Sequence, residues 1–362
     1  MLRSWTKRLL VAAAVALTPA APAAAQRDLT IAPGTAWTHA HSGITVPPTL
    51  GGNALVRAKA YAEDELDVGL SFEPEGAEDF ISFYIFRNTN GAAPVWFAQA
   101  QWAIENRDIY GAAKLAAAPR AFAAPGQTTQ SGLRAVYEPQ TESHYRSTGL
   151  ALVPVGGWYV KLRISSLRRT PAELDALMDS VIGEIRWPQH AAPAGAARPV
   201  IPCTAPLTFD KKSRDVTSGG MEEILAAAMV SAAAGDDSVK KDPVSTTPVQ
   251  WCRDRQMNNN IATYRADEAA DAYLLTFGDN GNGVTVGLSS VNTIMAELEG
   301  KKGKPRYSVT LHTAAEDANF VSQDRLPSPE RAAEIVNANR RTSTVATWGK
   351  ERAVQINSNA IK

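Results

Sequence analysis

The sequence predicts an α+β protein of two domains, each a mainly antiparallel sheet packed with helices. The chain has 362 residues, which suits two domains better than one. Short apolar or alternating runs typical of strands recur in both halves, between a few segments of helical periodicity. Residues 188–202 are rich in proline and alanine and have neither periodicity, so they are predicted to be a linker.

The first 25 residues show the three-part pattern of a secretory signal peptide. A basic start is followed by the apolar run Leu9–Leu17 and then by the small residues Ala23–Ala25. The run is much shorter than the roughly 20 residues that span a bilayer, which favours a signal peptide over a membrane anchor. We expect the exported chain to begin at Gln26, to lack a transmembrane segment and to be periplasmic or secreted.

The first domain is predicted over residues 26–187 and opens with strands. Residues 66–72 alternate apolar and polar side chains, as a half-buried strand does, and residues 80–86 are apolar on both faces, as in a central strand. Later strands are expected over 133–137, 148–155 and 158–164, the last two joined by a Gly-Gly turn.

Two helices are predicted in this domain. The first covers about residues 94–107, and its Trp96, Phe97 and Trp102 are interpreted as core side chains rather than as the lining of a ligand pocket. The second begins at a capping box formed by Thr170 and Glu173, with a proline at the first helical position. Its apolar residues recur at helical spacing and should lie on the sheet.

The order of these elements resembles a known family. After the opening Ser42–Pro47 (SGITVP), the sequence of strands, middle helix, strands and closing helix is similar to that of PsbP-like α+β domains, over about residues 30–187. The resemblance is one of layout. It implies an accessory or binding role and transfers no functional residue.

The second domain is predicted over residues 203–362 and is not recognised as a member of any family. It also has the pattern of an α+β unit. The predicted strands and helices are a strand at 206–209, a helix at about 220–234, an exposed loop at 235–250, strands at 261–265, 273–277, 284–289 and 307–312, a helix from Pro329 capped by Ser328, and final strands at 344–348 and 352–356.

The only two cysteines, Cys203 and Cys252, are predicted to form a disulfide, because an exported chain meets an oxidising environment. A two-thiolate metal site and a reactive thiol are the alternatives, and no nearby ligand spacing supports either of them. In the chain-entropy model, closing so long a loop contributes roughly 4 kcal/mol.

The stretch Asp279–Gly283 (DNGNG) raises the question of a calcium site. An EF-hand loop needs oxygen ligands at positions 1, 3 and 5, but positions 3 and 5 are glycines here, and position 12 is Ser290 instead of glutamate. Strand-like runs flank the stretch, and Asn and Gly tolerate the positive φ of a tight turn. The sequence therefore predicts a hairpin turn.

A metal site is a weaker hypothesis at His39 and His41. Residues two apart on a strand point to the same side, so the two imidazoles would share a metal if the fold supplied a third ligand. Asp64, Glu65 and Asp67 are the nearest oxygen donors in the sequence. The alternative interpretation is a polar segment before the first long strand.

No motif for catalysis or cofactor binding is complete. The chain lacks the G-x-S-x-G, P-loop and dinucleotide signatures, and no cofactor is expected. His144, close to Ser143 and Ser147, and His312 are candidate bases of a site assembled across the fold.

The leading functional hypothesis is an exported, non-catalytic binding or accessory protein of the bacterial cell envelope, acting on a protein partner or a small ligand. An exported hydrolase is the alternative. Basic and acidic residues are equal in number, 37 each, so nucleic acid is not an expected partner.

Overall fold

The computed structural model describes residues 26–140, 143–189, 194–209, 211–216, 248–289, 304–349 and 353–357. Of these residues, 39% are in strands and 15% are helical. Two sheets of nine strands each account for most of the strands.

The first sheet has the order β1-β6-β7-β8-β13-β12-β11-β10, with β9 also paired to β11, and all its pairs are antiparallel. Two small hairpins, β2-β3 and β4-β5, lie outside it. The strands are β1 Arg27–Asp28, β2 Trp37–Thr38, β3 Thr45–Val46, β4 Thr49–Leu50, β5 Asn53–Ala54, β6 Arg57–Ala60, β7 Asp67–Phe72, β8 Asp79–Arg87, β9 Lys114–Leu115, β10 Arg120–Phe122, β11 Gly132–Glu138, β12 Ser147–Val155 and β13 Trp158–Ser166.

The two faces of the first sheet are covered differently. Helix α2 (Pro171–Glu184) packs Leu174 and Met178 against one face. Helix α1 (Ala93–Glu105) packs Trp96 and Phe97 against the other face. The capping box predicted at Thr170 is present, and it starts α2 at the predicted residue.

The second sheet has the order β14 to β22 in sequence, and only the pair β14-β15 is parallel. Its elements are β14 Ile201–Pro202, β15 Trp251–Gln256, β16 Ile261–Ala266, β17 Tyr273–Phe277, β18 Gly283–Leu288, β19 Tyr307–His312, β20 Glu316–Phe320, β21 Arg341–Ala346, β22 Val354–Ile356 and helix α3, Pro329–Asn337, which Ser328 caps as predicted. Helix α3 packs on one face of this sheet.

One apolar core crosses from the first sheet to the second. Phe86 and Tyr159 of the first sheet, Trp96 of α1, and Tyr264 and Leu274 of the second sheet belong to a single buried cluster. The two sheets therefore pack together, with α1 and part of the second sheet covering the same face of the first.

The predicted α+β class is wrong. Among the described residues, 39% are in strands and only 15% are helical, and three α-helices stand beside two nine-stranded sheets, so the fold is mainly β. Strands of two or three residues, such as β1, β9 and β14, are too short to show a period of two. They form because a neighbouring strand satisfies their backbone hydrogen bonds, which composition does not reveal.

The strand predicted over residues 206–209 is also wrong. Leu207 donates its backbone N–H to the Asp254 carboxylate, 2.9 Å away, and not to a neighbouring strand. The predicted signal peptide, the predicted helix over 220–234 and most of the predicted loop over 235–250 lie outside the described residues. None of the helices described is long and apolar enough to cross a membrane.

Candidate functional site

The stretch Asp279–Gly283 lies at the contact between the two sheets. It joins β17 to β18, which pair antiparallel, so the predicted hairpin turn is confirmed. Gly281 has a φ of +90°, and a Cβ there would lie 3.1 Å from the carbonyl oxygen of Arg87 in the first sheet. Glycine is needed because both the backbone conformation and the close approach exclude a side chain.

Polar contacts hold this turn against the first sheet. The Lys161 ammonium on β13 lies 2.8 Å from a carboxylate oxygen of Asp279 and donates to the Asp279 carbonyl at 3.1 Å. Thr89 and Asn90 both donate to the Gly281 carbonyl, at 3.0 and 2.6 Å. Asn280 donates to the Asp67 carboxylate at 3.0 Å. We call residues 278–282 the docking turn.

Lys161 and Asp279 form the ion pair at the centre of this contact. The Lys161 side chain is 5% exposed, and its ammonium lies 4.9 Å from the ring centre of Tyr84. Burial alone would raise the pKa of Asp279, but the charges of Lys161 and Arg163 outweigh burial and lower that pKa below its ordinary value. Asp279 therefore stays ionised at neutral pH and compensates the buried ammonium.

The pKa of Asp67, on β7, is raised, whereas that of Asp279 is lowered. Burial raises the pKa of its carboxyl to about 6, although the hydrogen bond from Asn280 and the charge of Lys161 oppose that rise. The folded protein thus holds a proton on Asp67 between about pH 4 and 6, where the unfolded chain has released it. The free energy of unfolding should fall as pH rises through this window, and this loss of stability should remain at higher pH.

We expect Asp67→Asn to raise the free energy of unfolding at pH 7.5 by up to about 3 kcal/mol, since the neutral amide avoids ionisation in a buried place. Below about pH 4 the gain should vanish because Asp67 is then protonated in both states. Urea unfolding at several pH values measures this. Asp28→Asn, at a residue whose side chain is 81% exposed, is the control and should show no such profile. A gain that does not change with pH would contradict the assignment.

A cavity of about 330 Å³ lies beside the docking turn. Helix α1, strand β13 and two turns of the second sheet line it, so both sheets contribute. The lining residues are Gln99, Trp102, Ala103, Asn106, Arg107, Arg163, Asn259, Asn260, Gly278 and Asp279. Ligand sites favour such boundaries between packed units.

Buried Gln99 fixes the walls of this cavity relative to each other. Its amide nitrogen donates to the carbonyl oxygens of Asn260, at 3.3 Å, and Gly278, at 3.1 Å. Its amide oxygen accepts from the Tyr264 hydroxyl at 2.8 Å. One side chain of α1 therefore holds both turns in place, and the cavity is largely pre-formed.

Arg163 and Trp102 line the cavity, and each has a solvent-inaccessible donor, the Arg163 Nη2 and the Trp102 indole N–H, without a hydrogen-bond partner among the described residues. The interpretation of the α1 aromatics as core holds for Trp96 and Phe97, which are fully buried. Trp102 instead lines the cavity and stacks under the guanidinium of Arg253, 5.3 Å from its ring centre. Arg163 was not among the residues that the sequence singled out, and nothing in its local pattern marks it.

His39 and His41 serve an architectural role in the structure. The buried ring of His39 donates from Nε2 to the Glu65 carbonyl at 2.9 Å, and its Nδ1 accepts from Ser42. His41 donates to the Asp64 carbonyl at 2.9 Å. Asp64 and Glu65 have φ values of 51° and 58°, so the two imidazoles brace a turn in the left-handed region.

The hydrogen bonds of the two histidines do not favour a metal site. Both ring nitrogens of His39 are occupied, and burial, foremost, lowers the pKa of its imidazole. Across the part of the chain that the structure describes, no group of three or more His, Cys, Asp or Glu side chains could hold a metal ion.

The two candidate bases, His144 and His312, have different surroundings. His144 is exposed, and the neighbouring Ser143 and Ser147 hydroxyls donate instead to the carbonyls of Ile109 and Arg169.

His312 lies between two side chains on adjacent strands. Its Nε2 is 2.8 Å from the Thr285 hydroxyl, and its Nδ1 is 2.7 Å from the Asp317 carboxylate. This is the bonding order of a hydroxyl, base and acid array, with threonine in place of serine. None of these three side chains lines the cavity beside the docking turn.

Cys203 and Cys252 form a disulfide, with their Cα atoms 4.9 Å apart. Cys203 directly follows β14 and Cys252 lies on β15, so the bond links these two strands. Cys252 is completely buried. A disulfide is consistent with an exported protein.

Comparison with known proteins gives no relative from which to transfer a role, and the resemblance of residues 30–187 to PsbP-like domains stays a prediction. No protein-family model, no curated protein and no solved structure matches this chain.

Proposed function

We propose that the chain is an exported, non-catalytic binding protein of the cell envelope, which holds a small polar molecule in the cavity between its two sheets. The observation that carries this proposal is the cavity itself, built by both sheets and fixed by Gln99. Its volume of about 330 Å³ is at the lower end of the range of ligand pockets, roughly 300–1,000 Å³.

Export is supported by the N-terminal pattern and by the disulfide. In an envelope compartment, a binding protein meets small solutes directly. The buried contact between the sheets favours a fixed site over one that opens by hinge motion, because the docking turn, the ion pair and the shared core all oppose separation.

The proposal is tested by filling the cavity. Ala103 lines it from α1, so Ala103→Trp should occupy the space without touching the shared core. Ala176, an exposed alanine on α2, gives the matched control Ala176→Trp. A ligand that binds only the folded state raises the melting temperature. We expect a small-molecule extract of the source compartment to stabilise the wild type and Ala176→Trp, but not Ala103→Trp. Equal stabilisation of all three proteins would contradict binding in this cavity.

The hydrolase alternative is favoured by one observation, the Thr285–His312–Asp317 array. In that function Thr285 would attack an ester carbonyl while His312 takes its proton. The ester C–O bond would break, the alcohol would leave with that proton, and water would then hydrolyse the acyl-threonine to the free acid. The alternative predicts that the wild type releases p-nitrophenol from p-nitrophenyl acetate and that an acetyl group appears on Thr285.

Thr285→Val keeps the shape of the side chain and removes the hydroxyl, so it is the matched variant. Loss of p-nitrophenol release in Thr285→Val and in His312→Gln would favour the hydrolase. Unchanged rates in both variants would favour the binding function. In that case the three side chains only connect adjacent strands by hydrogen bonds.

A further inference from the structure

We propose that the ligand of the cavity between the sheets is an uncharged monosaccharide, whose hydroxyl groups are bound by the side-chain amides of Asn106, Asn259 and Asn260. This inference rests on the binding function proposed above and names the chemical class of the ligand.

The first argument is that two amides in the cavity wall are accessible and unpaired. Asn259 and Asn260 lie in the turn between β15 and β16, are exposed and line the cavity. The side-chain oxygen of Asn258 holds this turn, because it accepts from the backbone N–H groups of Asn260 and Ile261, each at 2.9 Å. Within the part of the chain that the structure describes, the side chains of Asn259 and Asn260 have no hydrogen bond of their own. Both amides are therefore free to bind a ligand.

The second argument is that the accessible groups include donors and acceptors together. A primary amide offers an acceptor oxygen and two N–H donors, and a hydroxyl group likewise donates and accepts. Asn106, exposed at the end of α1, donates from its amide nitrogen to the Trp102 carbonyl at 2.9 Å, which leaves its amide oxygen as an acceptor. Such a mixed set fits neighbouring hydroxyl groups better than a ligand that brings acceptors only.

The third argument is the indole of Trp102, the one aromatic side chain in the lining. It is half-buried, and its N–H is inaccessible to solvent, so it offers a ligand ring surface and not a hydrogen bond. A sugar ring carries C–H groups on its faces. Packing these groups against an aromatic ring removes apolar surface from water.

The charges of the lining favour an uncharged ligand. The Asp279 side chain is 27% exposed, so an anion in the cavity would meet its carboxylate. A cation would instead meet the guanidinium groups of Arg107 and Arg163. A hydroxyl group can donate to Asp279, or accept from Arg107, without facing a like charge.

The test compares sugars that differ in charge. Glucose, galactose and mannose, each beside its uronic acid and its 2-amino-2-deoxy derivative, are titrated into the exported chain, and binding is followed by ligand-observed saturation-transfer NMR.

Three variants remove the proposed contacts. Asn259→Ala and Asn260→Ala each remove one amide side chain, and Asn260→Ala keeps the backbone carbonyl that accepts from Gln99. Trp102→Leu removes the aromatic ring. Asn88→Ala is the matched control, because Asn88 is an exposed asparagine after β8 and does not line the cavity. The melting temperature of each variant checks that it folds.

We expect at least one of the three sugars to bind the wild type and Asn88→Ala, and to bind more tightly than its acid and its amine do. Asn259→Ala and Asn260→Ala should each weaken this binding about fivefold, since one hydrogen bond contributes roughly that factor. Trp102→Leu should weaken it as well.

Two kinds of result would overturn the sugar assignment. If the acid or the amine binds at least as tightly as the parent sugar, or if both asparagine variants bind like the wild type, the assignment is wrong while a binding cavity stands. If no sugar binds the folded wild type, the assignment also fails, and the extract experiment with Ala103→Trp then decides separately whether the cavity binds anything.

Discussion

Asp279→Ala is expected to lower the free energy of unfolding by about 3 kcal/mol, because it leaves the Lys161 ammonium buried without its counter-charge. The Lys161 side chain is only 5% exposed, and the carboxylate it loses lies 2.8 Å away. The lysine keeps its hydrogen bond to the Asp279 carbonyl, but a dipole does not neutralise a buried charge. Urea unfolding at pH 7.5 measures the loss.

The double variant Lys161→Met/Asp279→Ala separates the stranded charge from other effects. A methionine can keep the contacts that the lysine makes with Tyr84 and Phe86, so the double variant should be clearly more stable than Asp279→Ala alone. Glu78→Ala, which breaks an exposed ion pair with Arg168, is the control and should cost under about 1 kcal/mol. Losses that simply add in the double variant would contradict a buried, coupled pair.

Removing the disulfide is expected to have the largest effect on stability. The two cysteines are 49 residues apart, and a loop of that length restricts the unfolded chain by about 4 kcal/mol in the chain-entropy model. Cys203→Ala/Cys252→Ala should therefore unfold at a much lower urea concentration than the oxidised wild type.

The reductant TCEP gives the matching control for this prediction. It should lower the unfolding midpoint of the wild type towards that of the double variant, and it should leave the variant unchanged. A variant with wild-type stability would contradict a bond that closes this loop.

The sequence predicted best those elements whose signal is local. The capping box at Thr170 starts α2 where expected, and the capping serine Ser328 starts α3. The Asn and Gly residues of the docking turn predicted a hairpin, because positive φ at Gly281 is a property of the residue itself. The prediction of the fold class failed because the two sheets include several strands of two or three residues, which are stabilised only by their neighbours in the sheet.

The candidate site was mostly beyond sequence reasoning, since its parts come from distant segments. Arg163 has no special neighbours in the sequence, and only the fold brings it to the same cavity as Asp279. The Thr285–His312–Asp317 array depends on the register of three strands. The histidine pair at 39 and 41 suggested a metal because spacing is visible in a sequence, whereas the carbonyl groups that occupy the two rings are not.

Native mass spectrometry tests the central claim, that the cavity between the sheets holds a small molecule, most directly. The wild type, Ala103→Trp and Ala176→Trp are isolated from the source compartment and measured under native and denaturing conditions. We predict an added mass on the native wild type and on Ala176→Trp that disappears on denaturation and is missing from Ala103→Trp. An added mass that Ala103→Trp retains, or a wild type that carries none and gains none from the extract, would contradict the account.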